Sequence, residues 1–274
     1  MGHNFCQAIN RCIGSGWGFF KKKDAMVKAK PENRDYGTKP SAKHRIGTLG
    51  ERSLHSALKE WYALPGDQLE KKVDGFHIDI VRGSLLIEIQ TTNFSSIKSK
   101  LNKLAETHPV RLIFPIAQEK WIIRLKADGK TRLSRRKSPK RGHLLLLFEE
   151  LVSIPSLIEK ENFSLETLLI QEEEVRRDDG QGSWRRKGWS VADHRLLKVV
   201  GRHVFKKPSD FLTLIPQDLS GPFSTRELAE GIEQPRWLAQ KMAYCLRHMG
   251  AFEVVGKNGN SLLYSASESV EKAG

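Results

Sequence analysis

Apolar and polar residues alternate most regularly between residues 76 and 92, Phe-His-Ile-Asp-Ile-Val-Arg-Gly-Ser-Leu-Leu-Ile-Glu-Ile-Gln-Thr-Thr. The two-residue period predicts two strands, with Phe76, Ile78 and Ile80 on one face of the first and Leu85, Ile87 and Ile89 on one face of the second. Gly83-Ser84 suits a two-residue hairpin loop, because Gly supplies the positive φ of a tight turn. That tip pairs Arg82 with Leu85, Ile80 with Ile87, Asp79 with Glu88 and His77 with Gln90. Two carboxylates then stand with Cβ atoms roughly 4.5–5.5 Å apart, where like charges repel. A hard divalent cation would offset the repulsion, and Mg²⁺ takes one or two carboxylates while keeping waters for a phosphate. Exposed hairpins also carry an acid on each strand with no metal, so both readings stand at this point.

Around the hairpin the pattern is mixed. A helix over residues 48 to 62 has Glu51, Leu54, Leu58 and Trp61 in one stripe. Glu51 either closes a capping box with Thr48 or extends the acidic site as a metal or water ligand. A strand is expected at 69–73. Ser95 or Ser96 caps a helix with Ile97, Leu101 and Leu104 buried and Lys98, Lys100 and Lys103 outside the stripe. Strands follow at 110–116 and 121–125, separated by a turn at 117–120. Residues 126–143 read as a loop-like connector, 144–151 as a short helix, and 165–175 as strand or helix.

Asp-Asp-Gly-Gln-Gly-Ser within 176–188 marks a domain boundary. Beyond it, Ser190 caps a helix that buries Val191, Leu196, Leu197, Val200 and Val204, and a short helix covers 209–215. Ser224-Thr-Arg-Glu227 is a capping box, and Gln234-Pro235 starts a helix that buries Leu238, Met242, Cys245, Leu246 and Met249. A hairpin closes the series, with strands at 252–255 and 261–264 about a turn at 256–259.

Charge sharpens this picture. The 274-residue chain carries a net +14. Residues 1–45 hold ten Lys/Arg against three acids, and residues 126–143 hold eight against one. Basic segments of this kind suit phosphate backbones without reading sequence, whereas residues 144–175, with eight acids and one Lys, form an acidic extension. No apolar run approaches the roughly 18 residues of a membrane span, and residues 12–23 lack the form of a secretory signal. Cys6, Cys12 and Cys245 form no C-x-x-C pair, so reduced thiols and a cytoplasmic location are expected.

A helix with Glu51, a strand with Asp79, a strand with Glu88-Ile89-Gln90, then a helix and a strand, together resemble the core of the PD-(D/E)XK nuclease superfamily, which includes restriction enzymes and archaeal Holliday-junction resolvases. The resemblance covers residues 46–125. It implies an α/β fold with a restriction-endonuclease-like mixed sheet flanked by helices. It implies Mg²⁺ or Mn²⁺ held by Asp79, Glu88 and the Ile89 carbonyl, with catalytic roles for Glu51, Asp79, Glu88 and Gln90. Two departures stand out: no Pro precedes Asp79, and Gln90 replaces the usual Lys. An amide neither accepts a proton at neutral pH nor carries charge, so Gln90 would only orient water, with His77 as a lesser candidate acid or base.

Residues 189–266 resemble, by order of elements alone, a winged helix-turn-helix domain, whose second helix would enter the major groove of DNA. The expected organisation is a basic arm at 1–45, the nuclease-like core at 46–125, a connector and acidic extension at 126–188, the C-terminal winged-helix domain at 189–266 and a tail at 267–274. The implied function is that of a metal-dependent DNA endonuclease, with DNA and a second copy of the chain as candidate partners and no membrane partner. Lys98, Arg135, Arg136, Lys137, Arg236, Lys241 and Lys257 are the expected DNA contacts. The alternative is a catalytically inactive relative that binds DNA or regulates.

Overall fold

The computed structural model describes residues 53–217, 219 and 221–267, so the basic arm, Glu51, Cys6 and Cys12 lie outside the described residues. Helix α1 (Ser53–Tyr62) leads into strand β1 (Gln68–Val73), followed by β2 (Phe76–Arg82) and β3 (Leu85–Ile89). The hairpin register is the expected one, Arg82 with Leu85 and Ile80 with Ile87, and Gly83 at its tip has φ +57°. Short helix α2 (Lys98–Leu104) then crosses to strand β4 (Val110–Leu125), followed by β5 (Arg132–Lys137), α3 (Phe148–Leu151), β6 (Phe163–Asp178) and β7 (Trp189–Phe205).

These strands form one mixed seven-stranded sheet in the order β1-β2-β3-β4-β6-β7, with β5 on the far half of β4. β4 runs parallel to β3 and to β6, and β6 is antiparallel to β7. Helix α1 covers one face, where Leu54, Leu58 and Tyr62 pack on Ile80, Ile87, Ile89, Ile113, Leu168 and Ile170. The other face is covered by α2, α3 and the C-terminal helices, through Leu101, Leu104, Phe148 and others on Leu86, Leu112 and Leu165. Both faces are therefore apolar, as expected for strands that run parallel inside a layered α/β protein.

Four expectations are corrected. The turn at 117–120 is absent: β4 is continuous over sixteen residues with a bulge between Ala117 and Glu119. β6 lies alongside it throughout, so the polar residues stay in the ladder. The connector at 126–143 contains β5, whose basic residues pair with Trp121 to Leu125. The helix from Ser190 is strand β7, hydrogen-bonded to β6 from Asp178↔Trp189 to Leu165↔Phe205. Its Val-rich sequence suits a pleated surface: Leu196 and Val199 pack toward α1, whereas Leu197, Val200 and Val204 are exposed. The expected boundary at 176–188 is consequently the connection between two paired strands of one sheet.

Part of the acidic extension is internal too: Glu166, Glu172 and Glu174 are buried, whereas Glu149, Glu159 and Glu161 are exposed. Glu166 on β6 is fully buried and satisfied by Tyr62 Oη at 2.7 Å, Arg202 Nε at 2.7 Å and Arg111 Nη1 at 3.4 Å.

After β7 come α4 (Pro208–Leu212), α5 (Thr225–Gly231), α6 (Arg236–His248) and the hairpin β8 (Phe252–Asn258) and β9 (Ser261–Ala266). Ser224 and Glu227 close the expected capping box, the Ser224 N–H donating to Glu227 at 2.7 Å. The hairpin turns at Gly259-Asn260, later than expected, and is joined by an isolated bridge from Phe223 to Tyr264. Cys245 faces the interior, where burial pushes its thiol up to about 12.

Residues 206–267 share their core with the sheet. Phe205 at the end of β7 stacks on Phe211 with centroids 4.2 Å apart, and Phe148 of α3 lies 6.0 Å from Phe211. Leu238, Met242 and Leu246 belong to the same continuous cluster as Leu112 and Leu165. Met242→Ala should therefore cost about 2–5 kcal/mol and shift the chemical unfolding of the sheet and of the C-terminal helices together. Separate unfolding of a C-terminal unit, with the sheet unaffected, would contradict the shared core.

Candidate active site

The site forms where β3 changes neighbours. Leu86 and Gln90 donate their N–H groups away from β2, to Pro109 and Ile113 on the β4 side. Alternation along a strand thus turns the Ile89 N–H toward β2. The β2–β3 register ends at Ile80↔Ile87, so no β2 carbonyl meets that N–H. The Asp79 carboxylate takes it instead, with Oδ2 accepting from Ile89 N at 2.8 Å. Asp79 and Glu88 are neighbours where the strands part, the Asp79 charge opposing ionisation of Glu88 and the Asp79 N–H favouring it, and they are not paired in the β2–β3 register.

Alternation also fails at this point. Ile78 packs with the α2-side core and Ile80 with the α1-side core, while Glu70, beside the gap, takes the left-handed region at φ +51°.

Both acids are sequestered, with side-chain exposures of 12% for Asp79 and 8% for Glu88. Their environments differ. Burial opposes ionisation of Asp79, but His55, whose Nε2 lies 3.2 Å from Oδ2, and the Ile89 N–H outweigh it and hold the carboxyl below its usual range. Glu88 is pushed up to about 7, first by burial and then by the Asp79 charge, against the opposing effects of Lys100 and of the Asp79 backbone N–H. Two neighbouring carboxylates with divergent acidities are a recurring feature of sites that handle protons or cations.

Lys100 is the residue that sequence reasoning left outside the helix stripe. Its Nζ lies 2.5 Å from Glu88 Oε1 and also donates to the His77 carbonyl. The pair is an ion contact without hydrogen-bond alignment, because Glu88 Oε1 has no hydrogen-bond partner. His55 and Lys59 of α1 were also missed. Lys59 is buried, pairs with Glu70, and its charge favours ionised Asp79. Their spacing at i and i+4, next to the Leu54–Leu58 stripe, was the available signal.

Other expected residues fall elsewhere. Gln90 turns its amide onto the following turn, Nε2 donating to Thr92 O at 2.6 Å. The expected water-orienting residue thus places its amide nitrogen on the turn that follows β3. The Ile89 side chain is in the α1-side core, and its N–H serves Asp79. His77 is exposed and contributes its carbonyl to Lys100.

Of the expected DNA contacts, Lys98, Arg136, Arg236 and Lys257 are exposed. Arg135 pairs with Glu173 at 2.8 Å and Lys137 with Glu119 at 2.7 Å, both lying over the Trp121 ring. Lys241 is half-buried over Trp237.

A second cluster, Glu172, Glu174 and His194, has ligand atoms within 4.8 Å of one another. Lys120 already bridges its carboxylates at 3.0 and 2.9 Å, supplying the compensating charge. Burial opposes ionisation of Glu172, but His194 and Lys120 outweigh it and hold the carboxyl below its usual range.

A mixed α/β sheet flanked by helices, with two sequestered acids at a strand divergence, defines the class of this protein. The chain belongs to the family described as Domain of unknown function (DUF8091), whose model matches residues 52–206. It is also 30% identical over 186 residues to an "Uncharacterized protein" of Treponema pallidum (strain Nichols), an alignment covering 68% of this chain and 74% of that relative. The family segment ends one residue after β7, so it contains the whole sheet and the Asp79–Glu88 site. No solved structure matches the chain. Among the described residues no helix is long and apolar enough to cross a membrane.

The raised Glu88 carboxyl makes a prediction about stability. Between its ordinary value of 4.5 and about 7, the folded state holds a proton that the unfolded state has released, so stability falls as pH rises through that window and the whole penalty is present above it. Glu88→Gln should accordingly stabilise the metal-free protein by up to about 3 kcal/mol at pH 8 and by nothing at pH 4.5. Denaturant titrations in EDTA at the two pH values measure this; a variant less stable than wild type at pH 8 would contradict it.

Proposed function

We propose that the protein is a metal-dependent nuclease that hydrolyses phosphodiester bonds in DNA, with Asp79 and Glu88 as the ligands of Mg²⁺ or Mn²⁺. The observation that carries this reading is the proximity of the largely shielded Asp79 carboxylate to buried Glu88 where β2 and β3 part, close enough for the Asp79 charge to oppose ionisation of Glu88, beside the Lys100 ammonium. The donor set fits a hard cation: both groups offer carboxylate oxygens, and a cation at Glu88 Oε1 would take over the charge compensation that the Lys100 ammonium gives it from 2.5 Å. A bound cation of this kind polarises a phosphoryl oxygen and lowers the pKa of its water.

The chain's own groups have definable tasks. Lys100 supplies beside Glu88 the positive charge that Gln90 lacks, suited to an oxygen of the scissile phosphate. His55 Nε2 fixes Asp79 in its ionised form. α1 and α2 hold these groups from opposite sheet faces, so each approaches the gap from a rigid element. The similarity to the PD-(D/E)XK core supports the same roles for Asp79 and Glu88.

The C-terminal part supports a docking role on duplex DNA. The order α4, α5, α6, β8, β9 resembles that of a winged helix, and α6 lines a cleft with Arg236, Gln240, Tyr244 and Arg247 opposite Asn260 to Leu262 of the hairpin. Neither Arg236 nor Arg247 has an ion pair among the described residues.

A second reading, a DNA-binding protein without hydrolytic activity, is favoured by one observation: Gln90 is spent on a turn. Nicking of supercoiled plasmid with Mg²⁺ or Mn²⁺ separates the two. Wild type should nick, Asp79→Ala and Glu88→Ala should be at least about 100-fold slower, and Lys100→Ala should be slowed with partial recovery in Lys100→Arg. Equal nicking by wild type and Asp79→Ala, or none by either, would reject hydrolysis at this site.

A further inference from the structure

The connection between β6 and β7 holds an element that the candidate site does not use. Its sequence, Ser183-Trp184-Arg185-Arg186-Lys187-Gly188, places an indole beside three successive cations. Trp184 is 82% exposed, the most exposed large apolar side chain among the described residues. A lone exposed apolar residue is ordinary; a loop built to present one is not.

This loop is fixed in shape. Gly182 N donates to Gly188 O at 2.8 Å across the neck, and Arg186 N and Lys187 N donate to Ser183 O and Trp184 O at 2.9 and 3.0 Å. A Cβ on Gly182 would lie 1.9 Å from the Trp189 carbonyl oxygen, so only glycine fits there. Asp179 clasps the base, accepting from Gln181 N at 3.0 Å and Ser190 Oγ at 2.7 Å. That acid is thereby used as a structural group, and none of Arg185, Arg186 and Lys187 has an ion pair among the described residues. The Arg185 guanidinium lies 5.5 Å from the Trp184 ring centroid.

The surroundings continue the pattern. Arg177 covers Gly129 in the neighbouring β4–β5 turn, where Lys126 and Lys130 are exposed. Asp128, the acid of that turn, is held by Lys130 N, Thr131 N and Thr131 Oγ1. Every residue of β5, Arg-Leu-Ser-Arg-Arg-Lys, is exposed. A polyanion fits such a surface, and an indole offered among cations fits a polyanion with free ring faces.

We infer that the β6–β7 tip is a base-stacking element: Trp184 stacks on an unpaired base of a nucleic acid, and Arg185, Arg186 and Lys187 hold the flanking phosphates. Bases inside a duplex are already stacked on one another, so the ligand is a single strand or the unpaired nucleotides at a duplex junction. A membrane surface suits the tip less well, because one indole without neighbouring apolar residues buries little in a lipid interface. The inference rests on the proposed function for its choice of nucleic acid as ligand and is independent of hydrolysis.

The test is binding by the full chain in EDTA, where no metal-dependent cleavage occurs. The probes are an oligonucleotide with an unpaired 2-aminopurine at a duplex–single-strand junction and a blunt duplex of the same length. Wild type should quench the 2-aminopurine on binding. Trp184→Ala should lose the quench and bind the junction about tenfold more weakly, with blunt-duplex binding within about twofold and an unchanged melting temperature; Trp184→Phe should keep most of both signals. Wild-type affinities and quench in Trp184→Ala would overturn the proposal. So would binding to anionic phospholipid vesicles that depends on Trp184 while oligonucleotide binding does not. Quenching by a protein that fails to nick plasmid would uphold stacking and remove the nuclease reading; no oligonucleotide binding by wild type would remove both.

Discussion

The divergence of β2 from β3 is the constraint on which the site depends. β3 is held on one side by the antiparallel hairpin and on the other by parallel β4, and only the second partnership lasts to its end. A buried N–H that loses its partner costs about 1–3 kcal/mol, and the Asp79 carboxylate removes that cost at Ile89. The same contact fixes the Asp79 side chain in the gap and brings its charge against buried Glu88. Structure and chemistry are thus coupled: the group that completes the sheet also creates the repulsion that a cation or a proton must relieve. Lys100, His55 and Lys59 offset part of it, and the raised pKa of Glu88 is what remains.

The rest of the charge is divided by depth. Glu166, Glu172 and Glu174 of β6 lie inside and are met by Arg202, Arg111, Lys120 and Arg176. Cations used in this way neutralise the centre of the sheet. Others, on β5 and on the two adjoining turns, face solvent, where Arg135 and Lys137 also pair with Glu173 and Glu119. Among the described residues the sheet is thus internally balanced and its margin at β5 and the adjoining turns is basic, an arrangement that attracts polyanions through long-range fields.

The hairpin was legible because Gly83-Ser84 and strict alternation fix register locally, and the Ser224–Glu227 capping box because it is a contact between near neighbours. β7 was not legible: Val191, Leu196, Val200 and Val204 also fit a helical stripe, and only the presence of β6 beside them decides the matter. β4 was read as two strands for the same reason, its polar middle being carried by a partner remote in sequence. At the site, Asp79 and Glu88 could be named because a short turn relates them. Lys100 could not, since its approach to Glu88 depends on where α2 crosses the sheet. The Gln90 side chain bonds to the Thr92 carbonyl two residues on, a turn contact that strand alternation alone does not foretell.

Calorimetric titration of the metal-free protein with Mn²⁺ addresses the central claim most directly, in buffers of different ionisation enthalpy. A cation held by Asp79 and Glu88 must displace the proton that Glu88 retains near pH 7. The account predicts saturable binding with proton release at pH 6.5, less release at pH 8.5, and loss of binding in Asp79→Asn. No binding at either pH, or binding that persists unchanged in Asp79→Asn, would contradict it.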